Sequence, residues 1–161
     1  MSDSQEQFHS TFLDVLTSPA RSKQFTDQED IYGWLIGSWE ATVYDYPVDG
    51  TVHENKGEWH FVWVLEGRAV QDVWISPPRA QRNSSISKIR NRYGTTLRVY
   101  DTSINAWRLT WINPISGAHD ELIGRRKGKD IVQEGRDLNG NPMRWVFTEI
   151  TANTFRWYGE R

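Results

Sequence analysis

A chain of 161 residues has the size of one domain and can bury a core without staples, and the absence of cysteine removes disulfides, thiolate metal sites and cysteine nucleophiles. A formal net charge of −2 supplies no global field towards nucleic acid or an anionic membrane, and 13% aromatic residues argue against disorder. The stretch Met1 to Gln7 is polar and no run reaches membrane-spanning length, so cytoplasmic residence is expected, with neither nucleic acid nor membrane as a partner.

Phe8, Phe12, Val15 and Leu16 recur at helical spacing and stop at Ser18-Pro19, which predicts an amphipathic helix over residues 4–17. Thr26-x-x-Glu29 has the form of a capping box and predicts a short helix carrying Ile31, Trp34 and Leu35 that ends at Gly37. Residues 1–37 thus read as a helical segment packing on a domain formed by residues 38–161. From Ser38 the hydrophobic period becomes two, and regularly spaced turn signals divide the rest into strands. The expected strands are 38–46, 51–65, 68–76, 94–100, 105–112, 118–126, 129–137, 142–150 and 154–160. None is followed by a crossover helix. The fold class expected is therefore all-β, an antiparallel up-and-down barrel of about nine strands with short N-terminal helices. Residues 79–92 interrupt the meander with Arg79, Arg82, Lys88, Arg90 and Arg92, and read as a solvated loop or as a cationic rim that steers an anionic ligand.

Eight of the nine tryptophans fall on these strands, where alternate residues share a face. A two-residue turn at Glu66-Gly67 pairs Trp63 with Val70, Phe61 with Asp72 and Trp59 with Trp74. A loop at Thr102 to Asn105 sets Arg98 and Tyr100 on the face of Trp107, Leu109 and Trp111. A turn at Asn139-Gly140 pairs Arg136 with Met143 and Glu134 with Trp145; carried back through Lys127-Gly128, it brings His119 and Glu121 to the same face. The aromatic face, taken as the lining of a cavity, thus holds Asp72, Arg98, Tyr100, His119, Glu121, Glu134 and Arg136. Buried charges need partners, so these groups form networks or meet a polar ligand.

Two functional readings follow. In the first, the cavity binds a small hydrophobic or aromatic molecule with a polar or anionic group. Trp59, Trp63, Trp74, Trp107, Trp111, Trp145 and Tyr158 wall it, Asp72 adds a polar contact, and Arg98 and Arg136 hold the anionic end. In the second, the same cavity is the site of a cofactor-independent isomerase, cyclase or lyase, with Glu134 or His119 as base and Tyr100 or Glu121 as acid. A homodimer formed through the aromatic face is a third arrangement. No metal site is expected, because His-x-His and His-x-x-x-His spacings are missing and His119-Asp120 cannot point both side chains to one face of a strand. Phosphate-binding Gly-rich loops and Gly-x-Ser-x-Gly elbows are also missing.

Gly37-Ser38-Trp39, opening the first long strand after a short helix, resembles the Gly-x-Trp signature of lipocalins and the wider calycin group. The strings Gly57-Glu58-Trp59-His60-Phe61 and Leu65-Glu66-Gly67-Arg68-Ala69 are similar to an uncharacterised bacterial family of lipocalin-like proteins. The resemblance spans roughly residues 30 to 160 and implies a fold, not an activity. It implies that Trp39 plugs the barrel base and that a basic residue of a late strand, Arg156 here, packs over its ring. It also leaves haem held by a single histidine, His119 or His60, as the one cofactor to weigh; otherwise none is expected.

Overall fold

A computed structural model describes residues 11–86, 90–137 and 139–160. Alternation of apolar and polar residues after Gly37 produces one continuous antiparallel sheet. A two-residue strand β1 (Thr17–Ser18) and the long β2 (Gly37–Asp45) pair with β3 (His53–Val64). The meander continues through β4 (Ala69–Ser76), β5 (Arg92–Asp101), β6 (Ala106–Asn113), β7 (Ala118–Lys127), β8 (Asp130–Arg136), β9 (Pro142–Thr148) and β10 (Arg156–Glu160). The nine expected strands are all present, and the sheet curls into a half-barrel around its aromatic face. Among the described residues no helix is long and apolar enough to cross a membrane.

Where the turn chemistry is unambiguous, register follows it. Leu65, Glu66 and Gly67 take positive φ at the β3–β4 turn, and Trp59 then pairs with Trp74, Phe61 with Asp72 and Trp63 with Val70, as the sequence predicts. Tyr100 likewise opposes Trp107 and Arg98 opposes Leu109. The β8–β9 hairpin departs from expectation. Asp137 accepts hydrogen bonds from the backbone N–H groups of Asn139 and Asn141 and donates its own N–H to Asn141 O, so the loop is longer than a two-residue turn. The pairing slips by one residue: Gln133 opposes Trp145 and Glu134 opposes Arg144. A one-residue slip exchanges the two faces of a strand.

The N-terminal segment corrects the expectation of two helices packed outside a barrel. Residues 11–16 are helical, and residues 4–10 of the expected helix lie outside the described residues. The Thr26–Glu29 capping box does form, with Glu29 N–H donating to Thr26 Oγ1 and Thr26 N–H to Glu29 Oε2, but it opens turns and a 3₁₀ helix over Gly33–Leu35. This segment lies in the concave face. Ile31, Tyr32 and Leu35 are buried in one core with Trp59, Phe61, Trp63, Val70, Trp107, Leu109, Leu122, Ile131, Met143 and Phe147. The strand side chains leave carbonyls of the segment as acceptors, and the indoles use them: Trp107 Nε1 donates to Glu29 O at 2.7 Å and Trp39 Nε1 to Leu35 O at 2.7 Å.

Among the described residues β2 and β10 share no backbone ladder, so rings close the gap between the two edges. Trp39 of β2 meets Phe155 at a centroid distance of 4.9 Å, and Trp59 of β3 meets Trp157 of β10 at 6.0 Å. Phe155, not Arg156, covers the Trp39 ring; Arg156 is exposed and pairs with Glu149 at 3.6 Å. Ring-on-ring contact thus takes the place that the resemblance assigned to a cation.

Gly124 sits where the segment presses hardest on the sheet. A methyl group built there would overlap the Tyr32 hydroxyl and lie 3.0 Å from Leu109 Cδ1. Gly124→Ala is expected to cost about 1–3 kcal/mol through overpacking, read as a lower urea midpoint at unchanged slope.

Candidate functional site

The concave face has a polar floor beneath its rings. Asp72 on β4 and Arg98 on β5 are almost fully buried, with side-chain exposures of 0% and 1%, and Arg98 Nη1 donates to Asp72 Oδ2 at 2.5 Å. The other carboxylate oxygen accepts the Thr96 N–H at 3.1 Å. The guanidinium lies between two rings, 5.2 Å from the centroid of Tyr32 and 5.4 Å from that of Phe61. Tyr32 donates its hydroxyl to Gln133 Oε1 at 3.2 Å, and burial pushes this phenol well above its ordinary pKa, with the Arg98 charge opposing. Asp120 is buried on the same face, on the residue pair with Trp111.

Three buried N–H groups in this region find no acceptor in the described protein: Trp59 Nε1, Arg98 Nε and Gln133 Nε2. They are neighbours through shared contacts. Arg98 and Gln133 both touch Tyr32, and Trp59 packs at 5.0 Å on Phe61, which flanks Arg98. The contrast with the other indoles is informative, since Trp34, Trp39 and Trp107 each donate to a backbone carbonyl. Leaving a buried donor unmatched costs roughly 1–3 kcal/mol.

Around this floor the remaining inward tryptophans are only partly covered. Trp74, Trp111 and Trp145 are half-buried and Trp157 is 39% exposed. Glycine leaves room for these rings: Trp74 lies against Gly57, Trp111 against Gly94, and Trp145 and Trp157 beside Gly159. Among the described residues no ring of the N-terminal segment stacks on these four. Trp63 and Trp107, by contrast, are buried against Phe25 of that segment, so they serve its packing. The two best-formed hollows, of about 380 and 250 Å³, are open depressions elsewhere, the first beside Met143 and Glu160 and the second beside Gly37 and Asn153. The interior is a filled core with an aromatic rim.

The sequence-predicted residues divide by face. Trp59, Trp63, Asp72, Trp74, Arg98, Tyr100, Trp107, Trp111 and Trp145 point inward, and Tyr100 donates its hydroxyl to Asn105. His119, Glu121, Glu134, Arg136 and Tyr158 do not join them. The one-residue slip in β9 pairing, together with Trp111 opposing Asp120, places them on the convex face. There Glu134 pairs with Lys127 at 3.0 Å and Arg136 donates to Gly140 O. The expected interior acid–base set of His119, Glu121 and Glu134 beside Tyr100 is therefore not assembled. Tyr32, Thr96, Asp120 and Gln133 are the interior polar groups that the sequence reading missed. Only a correct loop length at residues 137–141 identifies Gln133 in advance.

Neither candidate haem histidine faces the interior. His119 is exposed on the convex side, and His60 has both ring nitrogens engaged, Nδ1 with Ser38 Oγ at 2.9 Å and Nε2 with Glu58 Oε2 at 3.1 Å. Glu58 also receives the Arg79 backbone N–H at 2.5 Å and its guanidinium at 2.8 and 3.0 Å. Other basic residues of the 79–92 loop are committed too, Arg92 to Asp45 at 2.6 Å and Arg82 to carbonyls of Pro77 and Arg92; Lys88 lies outside the described residues. Arg79, Arg82 and Arg92 thus bind the loop to its own backbone and to the sheet, while Arg90 is exposed.

No protein-family model matches the chain, and comparison with curated proteins finds no match. The geometry must carry the functional argument alone.

Removing one member of a buried pair strands the other. Asp72→Ala is expected to destabilise the fold by about 3–5 kcal/mol, and the joint change Asp72→Leu with Arg98→Met by less than that, both read by urea unfolding. Glu58 gives a second expectation: bonds from the Arg79 guanidinium and backbone hold its carboxyl at about 2, below the ordinary 4.5. Its contribution is complete above the ordinary value and is lost as pH falls through the lowered one. The protection factor of the Arg79 amide should therefore fall as pH drops from about 4.5 to 2, and Glu58→Gln should remove that acid response.

Proposed function

We propose that this protein is a lipocalin-like binding protein that takes a small, flat organic molecule at the half-buried tryptophans of its concave face. The observation that carries the reading is the set of unmatched buried donors, Trp59 Nε1, Arg98 Nε and Gln133 Nε2, on a concave face whose Trp74, Trp111 and Trp145 are half-buried. An aromatic rim over a few fixed polar groups is the usual composition of a small-molecule site. The lipocalin affinity is supported by the curled up-and-down meander and by Trp39, which seats at the start of the first long strand with its N–H fixed to Leu35 O. The chemistry asked of the protein is binding and orientation, without a cofactor. The proton-transfer alternative loses support because its carboxylates face away from the rings.

The neutral fluorophore N-phenyl-1-naphthylamine tests this reading. Its emission should rise on titration with the full chain and saturate at one equivalent. Trp111→Ala should weaken that binding about tenfold with little loss of stability, since Trp111 stands apart from the packed core cluster. An emission that does not rise, or one that Trp111→Ala leaves unchanged, would overturn the proposal.

A further inference from the structure

We infer that Ser38, His60 and Glu58 form a nucleophile, base and orienting carboxylate on the convex face, and that Ser38 is acylated by small carboxylic esters at the depression beside Gly37. This activity goes beyond the binding reading above and uses none of its tryptophans or unmatched donors. Two strands bring the three side chains together: Ser38 of β2 opposes His60 of β3, and Glu58 lies two residues before His60 on the same face. Ser38 Oγ is 2.9 Å from His60 Nδ1, and His60 Nε2 is 3.1 Å from Glu58 Oε2. Arg79 fixes the direction of both bonds. Its backbone N–H and guanidinium bind Glu58 and keep the carboxylate ionised, so Glu58 only accepts. In the neutral ring His60 Nε2 therefore carries the proton, Nδ1 is bare, and the Ser38 hydroxyl donates to it.

Access and a backbone donor complete the arrangement. Ser38 is exposed and lines the open depression of about 250 Å³ with Ile36, Gly37, Trp39, Ala152 and Asn153. A Cβ built on Gly37 would meet nothing within 4 Å, so space is open next to the serine. β4 occupies one side of β3, and β1 and β2 share the other. On that shared side Leu65 N–H donates to Leu16 O, so the odd-numbered residues of β3 turn their backbone groups towards β2. Ser38 and His60 are thus a pair without ladder bonds. Such pairs hold their side chains close, and the Ser38 N–H turns to the edge of β2 that no strand pairs among the described residues. A donor at the nucleophile stabilises the negative oxygen of a tetrahedral intermediate. In the proposed step Ser38 Oγ bonds to the ester carbonyl carbon while its proton passes to His60 Nδ1. The carbonyl then reforms, the bond to the alkoxy oxygen breaks, and the alcohol leaves with the proton from His60. Water repeats the sequence on the acyl-serine, which releases the carboxylic acid and restores Ser38. Glu58 stays ionised throughout and acts as a positioning residue. Ile36 and Trp39 make one wall of the depression apolar, which suits a short acyl or an aryl group.

The probe is p-nitrophenyl acetate, mixed with the full chain at neutral pH. Release of p-nitrophenolate should be catalytic, and peptide mass spectrometry after an acid quench should find the acetyl group on Ser38. Ser38→Ala and His60→Gln should each lower the rate about a hundredfold or more. Nitrogen NMR of the His60 ring should show Nε2 protonated and Nδ1 bare in the native chain. Glu58→Gln should weaken that preference and slow acetylation together. Release no faster than the spontaneous reaction, acetyl on another residue, a rate that Ser38→Ala or His60→Gln leaves unchanged, or a ring protonated at Nδ1 would each overturn the inference. None of these outcomes bears on the binding of N-phenyl-1-naphthylamine at the tryptophans.

Discussion

The burial of Arg98 is the constraint around which the concave face is organised. A guanidinium removed from water survives only where charge and hydrogen bonds replace hydration, and Asp72 supplies both from the adjacent strand. The faces of the guanidinium plane remain, and the rings of Tyr32 and Phe61 cover them. Tyr32 does not belong to the sheet. Its position requires that residues 25–36 run through the concave face, and the donations from Trp107 and Trp39 to the backbone of that run hold it there. One ion pair thus couples two strands to the segment that fills the barrel.

That coupling explains how a sheet whose edges share no ladder remains curled. A closed barrel joins its first and last strands by hydrogen bonds, which fix curvature at every residue. Here the curvature is held from inside. The filling segment packs Phe25 on Trp63, Tyr100 and Trp107, and Trp34 on Phe147 and Phe155, so it touches strands at both ends of the meander. The Trp39–Phe155 and Trp59–Trp157 contacts then seal the seam. Rings suit this task because edge-to-face contacts tolerate a range of separations, whereas a hydrogen-bonded ladder accepts only one.

Strands, their order and the β3–β4 and β5–β6 registers were legible in the sequence because period-two alternation and turn dipeptides are local signals. Glu66-Gly67 gave the right register, since positive φ at consecutive residues closes that hairpin tightly. Asn139-Gly140 misled for an equally physical reason: Asp137 competes for the turn by accepting two backbone N–H groups, which lengthens the loop and inverts the faces of one strand relative to the next. His119, Glu121, Glu134 and Arg136 were assigned inward on that error. The path of residues 25–36 was illegible for a different reason. A capping box signals how a turn starts, and Thr26 and Glu29 form one, yet nothing local specifies that Tyr32 will be drawn into the barrel by an arginine on a distant strand.

The polar floor is hard to explain as scaffold alone. Apolar side chains of similar volume often replace a buried ion pair at no loss of stability, so an Asp72–Arg98 pair needs no place in a core of this aromatic density. The unmatched N–H groups sharpen the point. Trp59 is held by Phe61, Trp74, Phe147 and Phe155 in a position where its indole nitrogen finds no carbonyl, although a phenylalanine there would pack similarly and leave no donor stranded. Gln133 spends its oxygen on Tyr32 and keeps its amide N–H free, where leucine would meet no penalty. Stability alone disfavours each of these choices, and two of them, Arg98 and Gln133, lie against Tyr32 of the N-terminal segment. Polar groups that cost stability are the ones on which the proposed binding function draws.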